Sequence, residues 1–143
     1  MGNALIDASK KGDTETVKLL LQKGADINGK NDTGQTALIV SGKAETVKCL
    51  VERGADVKAR TDEGRTALMA HIGDPEIAGL LIDKGADVNA KTREGTTALM
   101  LAVGDAGIES IRLLLDRGAD INARDNDGRT AFYSLERRSP PAF

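Results

Sequence analysis

Apolar residues recur along this chain at helical spacing in short blocks, and each block ends the same way. Val17, Leu20 and Leu21 make one stripe, and Val47, Leu50 and Val51 make another. Positions three and four apart lie on one side of a helix, so each stripe predicts an amphipathic helix with one buried face. The blocks stop at Lys23-Gly24, Arg53-Gly54, Lys84-Gly85 and Arg117-Gly118. A cation at the negative end of the helix dipole, followed by a glycine able to turn left-handed, ends a helix. Starts are marked too. Thr36, Thr66, Thr97 and Thr130 stand where a hydroxyl can cap a first, shorter helix. Asp74-Pro75-Glu76 opens a second helix with a capping carboxylate, a proline at the first helical position and an acid in the first turn. Polar, turn-rich stretches such as Ala86 to Gly95 join one stop to the next start and read as projecting hairpins.

These signals belong to one repeating unit. Gly-Ala-Asp followed by Ile or Val occurs at Gly24, Gly54, Gly85 and Gly118, at spacings of 30, 31 and 33 residues. Gly-x-Thr-Ala and a large apolar residue follow at Gly34, Gly64, Gly95 and Gly128. A fixed period of this length is the mark of a stacked array, in which each unit buries its apolar face against the next. Composition agrees, since the three aromatics (Phe132, Tyr133 and Phe143) all lie near the C-terminal end. The core before them has to be built from Leu, Ile, Val, Ala and Met. A length of 143 residues suits a single array of about four and a half units. We place these at 3–30, 31–60, 61–91 and 92–124, with a partial unit at 125–138 and a tail at 139–143.

On these residues the chain resembles the ankyrin repeat family. The likeness runs from Asn3 to about Arg138 and is best carried by Gly118-Ala119-Asp120-Ile121-Asn122-Ala123 with Asp125, Gly128 and Thr130. It implies an all-α solenoid of helix-turn-helix units with projecting β-hairpin loops. Fingers and first helices would line a concave face and second helices the back. It also implies a binding scaffold without chemistry of its own. Two departures stand out. The family's Thr-Pro-Leu-His tetrad is replaced by Thr36-Ala37-Leu38-Ile39, Thr66-Ala67-Leu68-Met69, Thr97-Ala98-Leu99-Met100 and Thr130-Ala131-Phe132-Tyr133, so both the proline and the histidine are missing. The second and third units are also short, with losses between Leu38 and Glu45 and between Leu68 and Glu76, which predicts a curtailed first helix or turn.

Charge and candidate chemistry narrow the function. A net charge of −2 gives no overall attraction for nucleic acid or anionic lipid. The longest apolar run, Ala98 to Val103, is far short of the ~20 residues a membrane helix needs. The first residues lack the apolar stretch of a secretory signal, and a cytoplasmic location is expected. Gly24 to Lys30 imitates the start of a phosphate-binding loop, but a helix rather than a strand precedes it and Asn31 replaces the metal-binding hydroxyl. Asp125-Asn126-Asp127-Gly128 imitates part of a calcium loop, with Ala123 at the first ligand position. Asn31-Asp32-Thr33 is a glycosylation sequon that matters only in a secreted chain. Cys49 and His71 could in principle form a nucleophile and base. Aligned on the repeat, they occupy a packing position shared with Leu19, Leu80 and Leu113, and a small position shared with Ala8, Ser41 and Ala102. Structural roles are expected for both. The pairs Glu15 with Lys18 and Glu109 with Arg112 read as solvated helix pairs. No cofactor, metal or catalysis is expected.

The function these features imply is recognition of another protein through the concave face and the fingertips. Gln35, Arg65, Thr96 and Arg129, with Ile39, Met69, Met100 and Tyr133, would form the face, and Asp32, Asp62, Arg93 and Asn126 the tips. A basic row at Lys30, Arg60, Lys91 and Arg124 completes the expected contact set. The acids beside this row, Asp32, Asp62, Glu63, Glu94 and Asp127, leave self-neutralisation of the row as the alternative. If the row is a partner footprint, replacing Arg60 and Lys91 by Glu is expected to weaken binding with little change in melting temperature. The alternative reading is a structural module, a weak homodimer formed through its incomplete C-terminal unit. In that unit Phe132 is expected to pack inward, and the Pro140 to Phe143 tail to cover the edge or meet a second molecule.

Overall fold

The computed structural model describes residues 2–105, 107–131 and 133. The expectations for Phe132 and for the tail lie outside them. Among the described residues eight helices follow in order: α1 (Gly2–Lys11), α2 (Thr14–Gln22), α3 (Ala37–Val40), α4 (Ala44–Glu52), α5 (Ala67–Ala70), α6 (Pro75–Asp83), α7 (Ala98–Asp105) and α8 (Ile108–Asp116). Consecutive helices pack in pairs, and the pairs stack. The odd helices form a first row, α1 on α3 on α5 on α7, and the even helices a second row, α2 on α4 on α6 on α8. The fold is the all-α, two-layer stack that the repeat predicted. Among the described residues no strand forms, and the hairpin loops show a single bridge, Arg60 with Thr66. No helix among them is long and apolar enough to cross a membrane.

The local signals act as read. Thr36, Thr66 and Thr97 each accept the backbone N–H three residues on, at 3.3 Å, and so cap α3, α5 and α7. Asp74 accepts the N–H groups of Glu76 and Ile77, with Pro75 in the first turn of α6. At the other end Gly24 has φ 94°, and the N–H groups of Gly24 and Ala25 reach back to the carbonyls of Leu21 and Leu20. This left-handed closure repeats after α4, α6 and α8, where Ala55, Ala86 and Ala119 donate to Leu50, Leu81 and Leu114. The deletions in the second and third units fall where expected: α3 and α5 are 4 residues each, against 8 in α7.

Leu5, Val17, Leu38, Leu50, Leu68, Leu81 and Leu114 fill the space between the rows, and all are fully buried. Each such side chain contributes about 1.5–3 kcal/mol relative to leaving it exposed. One packing expectation fails. Leu19, at the position of Cys49, is 52% exposed, because Cys49 sits against the preceding α2 whereas no described unit precedes α2. His71 is structural: its Nε2 lies 2.8 Å from the Leu38 carbonyl one unit earlier. Lys18 and Glu15 pair at 3.4 Å, whereas the shorter ion pairs join neighbouring units, Lys48 to Glu76 at 3.0 Å and Arg117 to Asp83 at 2.5 Å.

Candidate interaction surface

Each finger is closed by the same small network. The residue that opens the turn, Asn31, Thr61, Thr92 or Asp125, accepts the N–H four residues on, and its own N–H donates to that residue's carbonyl. Fingers are then stitched together. Asp62 donates its N–H to Thr33 O at 3.0 Å, Arg93 to Glu63 O at 2.9 Å and Asn126 to Glu94 O at 2.9 Å. So close is the approach that a Cβ on Gly95, whose φ is 83°, would lie 2.8 Å from Asn126 N. Glycine is required there because backbone cannot yield.

The basic row proves to be part of this stitching. Lys30 Nζ donates to Arg60 O and Lys91 Nζ to Arg124 O, each at 3.1 Å, and the Arg60 guanidinium donates to Lys91 O. Arg124 turns to Gly128 O in its own finger, at 3.5 Å. Each cation before Arg124 thus caps the carbonyl of its own counterpart in the next unit. These side chains stay exposed, but each also engages the finger backbone and so is tied to the stack.

Of the residues expected on the first-helix face, Ile39 and Met69 are 6% and 3% exposed. They belong to the core, because α3 and α5 turn that position inward beneath the neighbouring unit, and neither can meet a partner. Gln35 is half-buried and takes an N–H from the Asn31 side chain at 2.9 Å. Asp32 and Asp62 are exposed at the tips, and Asn126 there donates its side-chain amide to Arg93 O at 2.7 Å.

The remaining residues come together. Two adjoining concavities of about 230 and 360 Å³ run along the later fingers and α7, and share Thr96 and Leu101. Arg65 and Arg93 line the first, and Met100, Arg129 and Tyr133 the second. The Arg129 guanidinium lies 4.8 Å over the Tyr133 ring, a favourable stacking of cation on aromatic face. The Asp125 carboxylate beside them is occupied by the N–H groups of Asp127 and Arg129. Leu101, Glu63 and Glu94 also line this groove, outside the expected contact set. The available signal for Leu101 was its place immediately after Met100, matching Val40 and Ala70 in the earlier units.

Exposed charges around a half-buried apolar floor make a surface suited to contact. Among the described residues no cluster of His, Cys, Asp or Glu could hold a metal ion. No curated protein matches the chain. A family model described as ankyrin repeats (3 copies) matches residues 2–61 and 39–125. With the paired helices, the left-handed closures and the stitched fingers, that match settles the relationship: the chain belongs to the ankyrin repeat family.

Proposed function

We propose that this chain is a non-catalytic scaffold that binds another protein through the groove along the later fingers and α7, flanked by the fingertips. Ankyrin repeats are in general protein-interaction modules. The observation that carries the reading is the assembly of Met100, Leu101 and Tyr133 as an apolar floor beneath Arg65, Arg93 and Arg129. Interfaces of this kind draw their energy from a few aromatic, Met and Arg anchors. The partner segment this groove suits offers an apolar side chain to Met100 and Leu101 and carboxylates to the arginines. The only histidine is held on a backbone carbonyl and Cys49 is buried, and among the described residues these two make no contact as nucleophile and base. Crosslinking capture from the source extract tests the reading with Met100→Glu in the groove and Glu45→Lys on the second-helix side. Partners retained by the second variant and lost by the first support it. Equal recovery by both removes the groove from the account.

A second reading, association of two copies, draws on Ile108 and Leu115, which are 69% and 40% exposed on α8. A concentration-dependent dimer in sedimentation that Ile108→Asp abolishes would favour it.

A further inference from the structure

The three junctions of the second-helix row are not held alike. Between α2 and α4 the hydroxyls of Thr14 and Thr46 meet in the interior at 2.9 Å, and the Asn28 side chain accepts the Asp56 N–H at 2.8 Å. Between α6 and α8 the Ser110 hydroxyl donates to Ile72 O at 2.7 Å, and Asn89 accepts the Asp120 N–H at 2.7 Å while donating to Gly118 O at 3.1 Å. Each of these junctions therefore has a buried hydroxyl bond and an asparagine bridge. The middle junction, α4 with α6, has neither. Ile77 occupies the position of Thr46 and Ser110, and Lys58 occupies that of Asn28 and Asn89. Among the described residues, its one polar bond on this side is the exposed Lys48–Glu76 pair, a type that contributes little. An open groove lined by Val51, Pro75, Gly79 and Leu80 runs along it.

The opposite side of the same junction is firmly tied. The Arg60 guanidinium reaches Lys91 O, Asp62 N–H reaches Thr33 O at 3.0 Å, and His71 reaches Leu38 O at 2.8 Å. We infer that this junction is a hinge: α4 and α6 part and reclose while the fingers and first helices beside them stay bonded. The physical reason is the kind of contact left between α4 and α6. Ile77 is buried, and apolar burial is non-directional, so it tolerates sliding and tilting that a hydrogen bond at fixed length and angle does not. Motion here swings the first two units against the remainder and changes the splay of the fingers. The inference stands whether or not the groove binds a protein.

Cys49 and Val51 provide the test, because they are 7% and 8% exposed and line different junctions, α2 with α4 and α4 with α6. Labelling of the intact chain with a small thiol reagent is measured for Cys49 in the natural sequence and for Val51→Cys in a Cys49→Ser background. A hinge predicts that the introduced thiol reacts at least about tenfold faster than Cys49, at a rate insensitive to low denaturant, as a local opening requires. Adding Lys58→Asn, which restores an amide opposite the Asp87 N–H, should slow that labelling severalfold and leave Cys49 unaffected. If Val51→Cys destabilises the fold, the Lys58→Asn comparison is made on Leu80→Cys. Equal rates at the two junctions overturn the inference. So does a denaturant dependence as steep as global unfolding, or no response to Lys58→Asn.

Discussion

Asp13 and Ser9 lie within four positions of each other in the first unit and carry opposite lessons about polar groups. The Thr16 hydroxyl and then the Thr16 N–H donate to the Asp13 carboxylate, which holds it below the usual carboxylate range. A carboxylate depressed in the folded state adds stability above its unfolded pKa of about 3.9, and that contribution is lost as pH falls through the folded value. Thr16→Val should therefore raise the Asp13 pKa in a carbon-detected NMR titration and weaken the acid dependence of stability; an unmoved titration would deny Thr16 its role. Ser9 is fully buried, and its hydroxyl has no hydrogen-bond partner among the described residues. A stranded hydroxyl in a helix costs both desolvation and propensity, so Ser9→Ala should stabilise by about 1 kcal/mol. A lowered denaturant midpoint would show that the hydroxyl is needed. The Asp13 cap is local to its own helix, whereas the stranded Ser9 hydroxyl could not be read from sequence, since it depends on what neighbouring elements place around one oxygen.

At the scale of the element, most of the structure was legible. Threonine caps, the Asp74-Pro75 start and the cation-glycine stops act through the backbone of their own helix, so local chemistry determines them. The deletions in α3 and α5 were legible for the same reason. Exposure along the first-helix row was not. Ile39, Met69 and Met100 hold one repeat position, yet the first two are buried and the third is half-exposed, because packing from adjacent units decides. Gly79 shows the two kinds of information meeting. Sequence places it inside a helix, and the structure puts a prospective Cβ 3.8 Å from Leu113 Cδ2, an ordinary contact. Gly79→Ala should thus stabilise by about 1 kcal/mol, through helix propensity with no clash to offset it. Urea unfolding checks this, and a midpoint that falls would mean α6 needs the glycine to bend.

In the whole molecule, stability is close to a sum over units and junctions, so a residue that joins neighbours matters beyond its own contacts. The basic row does this along the fingers. Spacing alone showed a row of like charge and suggested a partner footprint; the reach of each side chain to the next unit's carbonyl appears only once the fingers are stacked. Charge reversal then has a different consequence from the one expected of free surface charges. Arg60→Glu removes a donor to Lys91 O, and Lys91→Glu removes one to Arg124 O, so two consecutive junctions loosen together. Solvent screens both sites, so the joint loss should be about 1–2 kcal/mol and not the full value of two charged hydrogen bonds. Because the coupling between units also weakens, the urea transition should broaden as well as move to lower concentration. Arg60→Gln with Lys91→Gln gives the control for charge: a similar fall there assigns the loss to the missing bridges. A midpoint and slope unchanged in both double variants would leave these cations free for a partner.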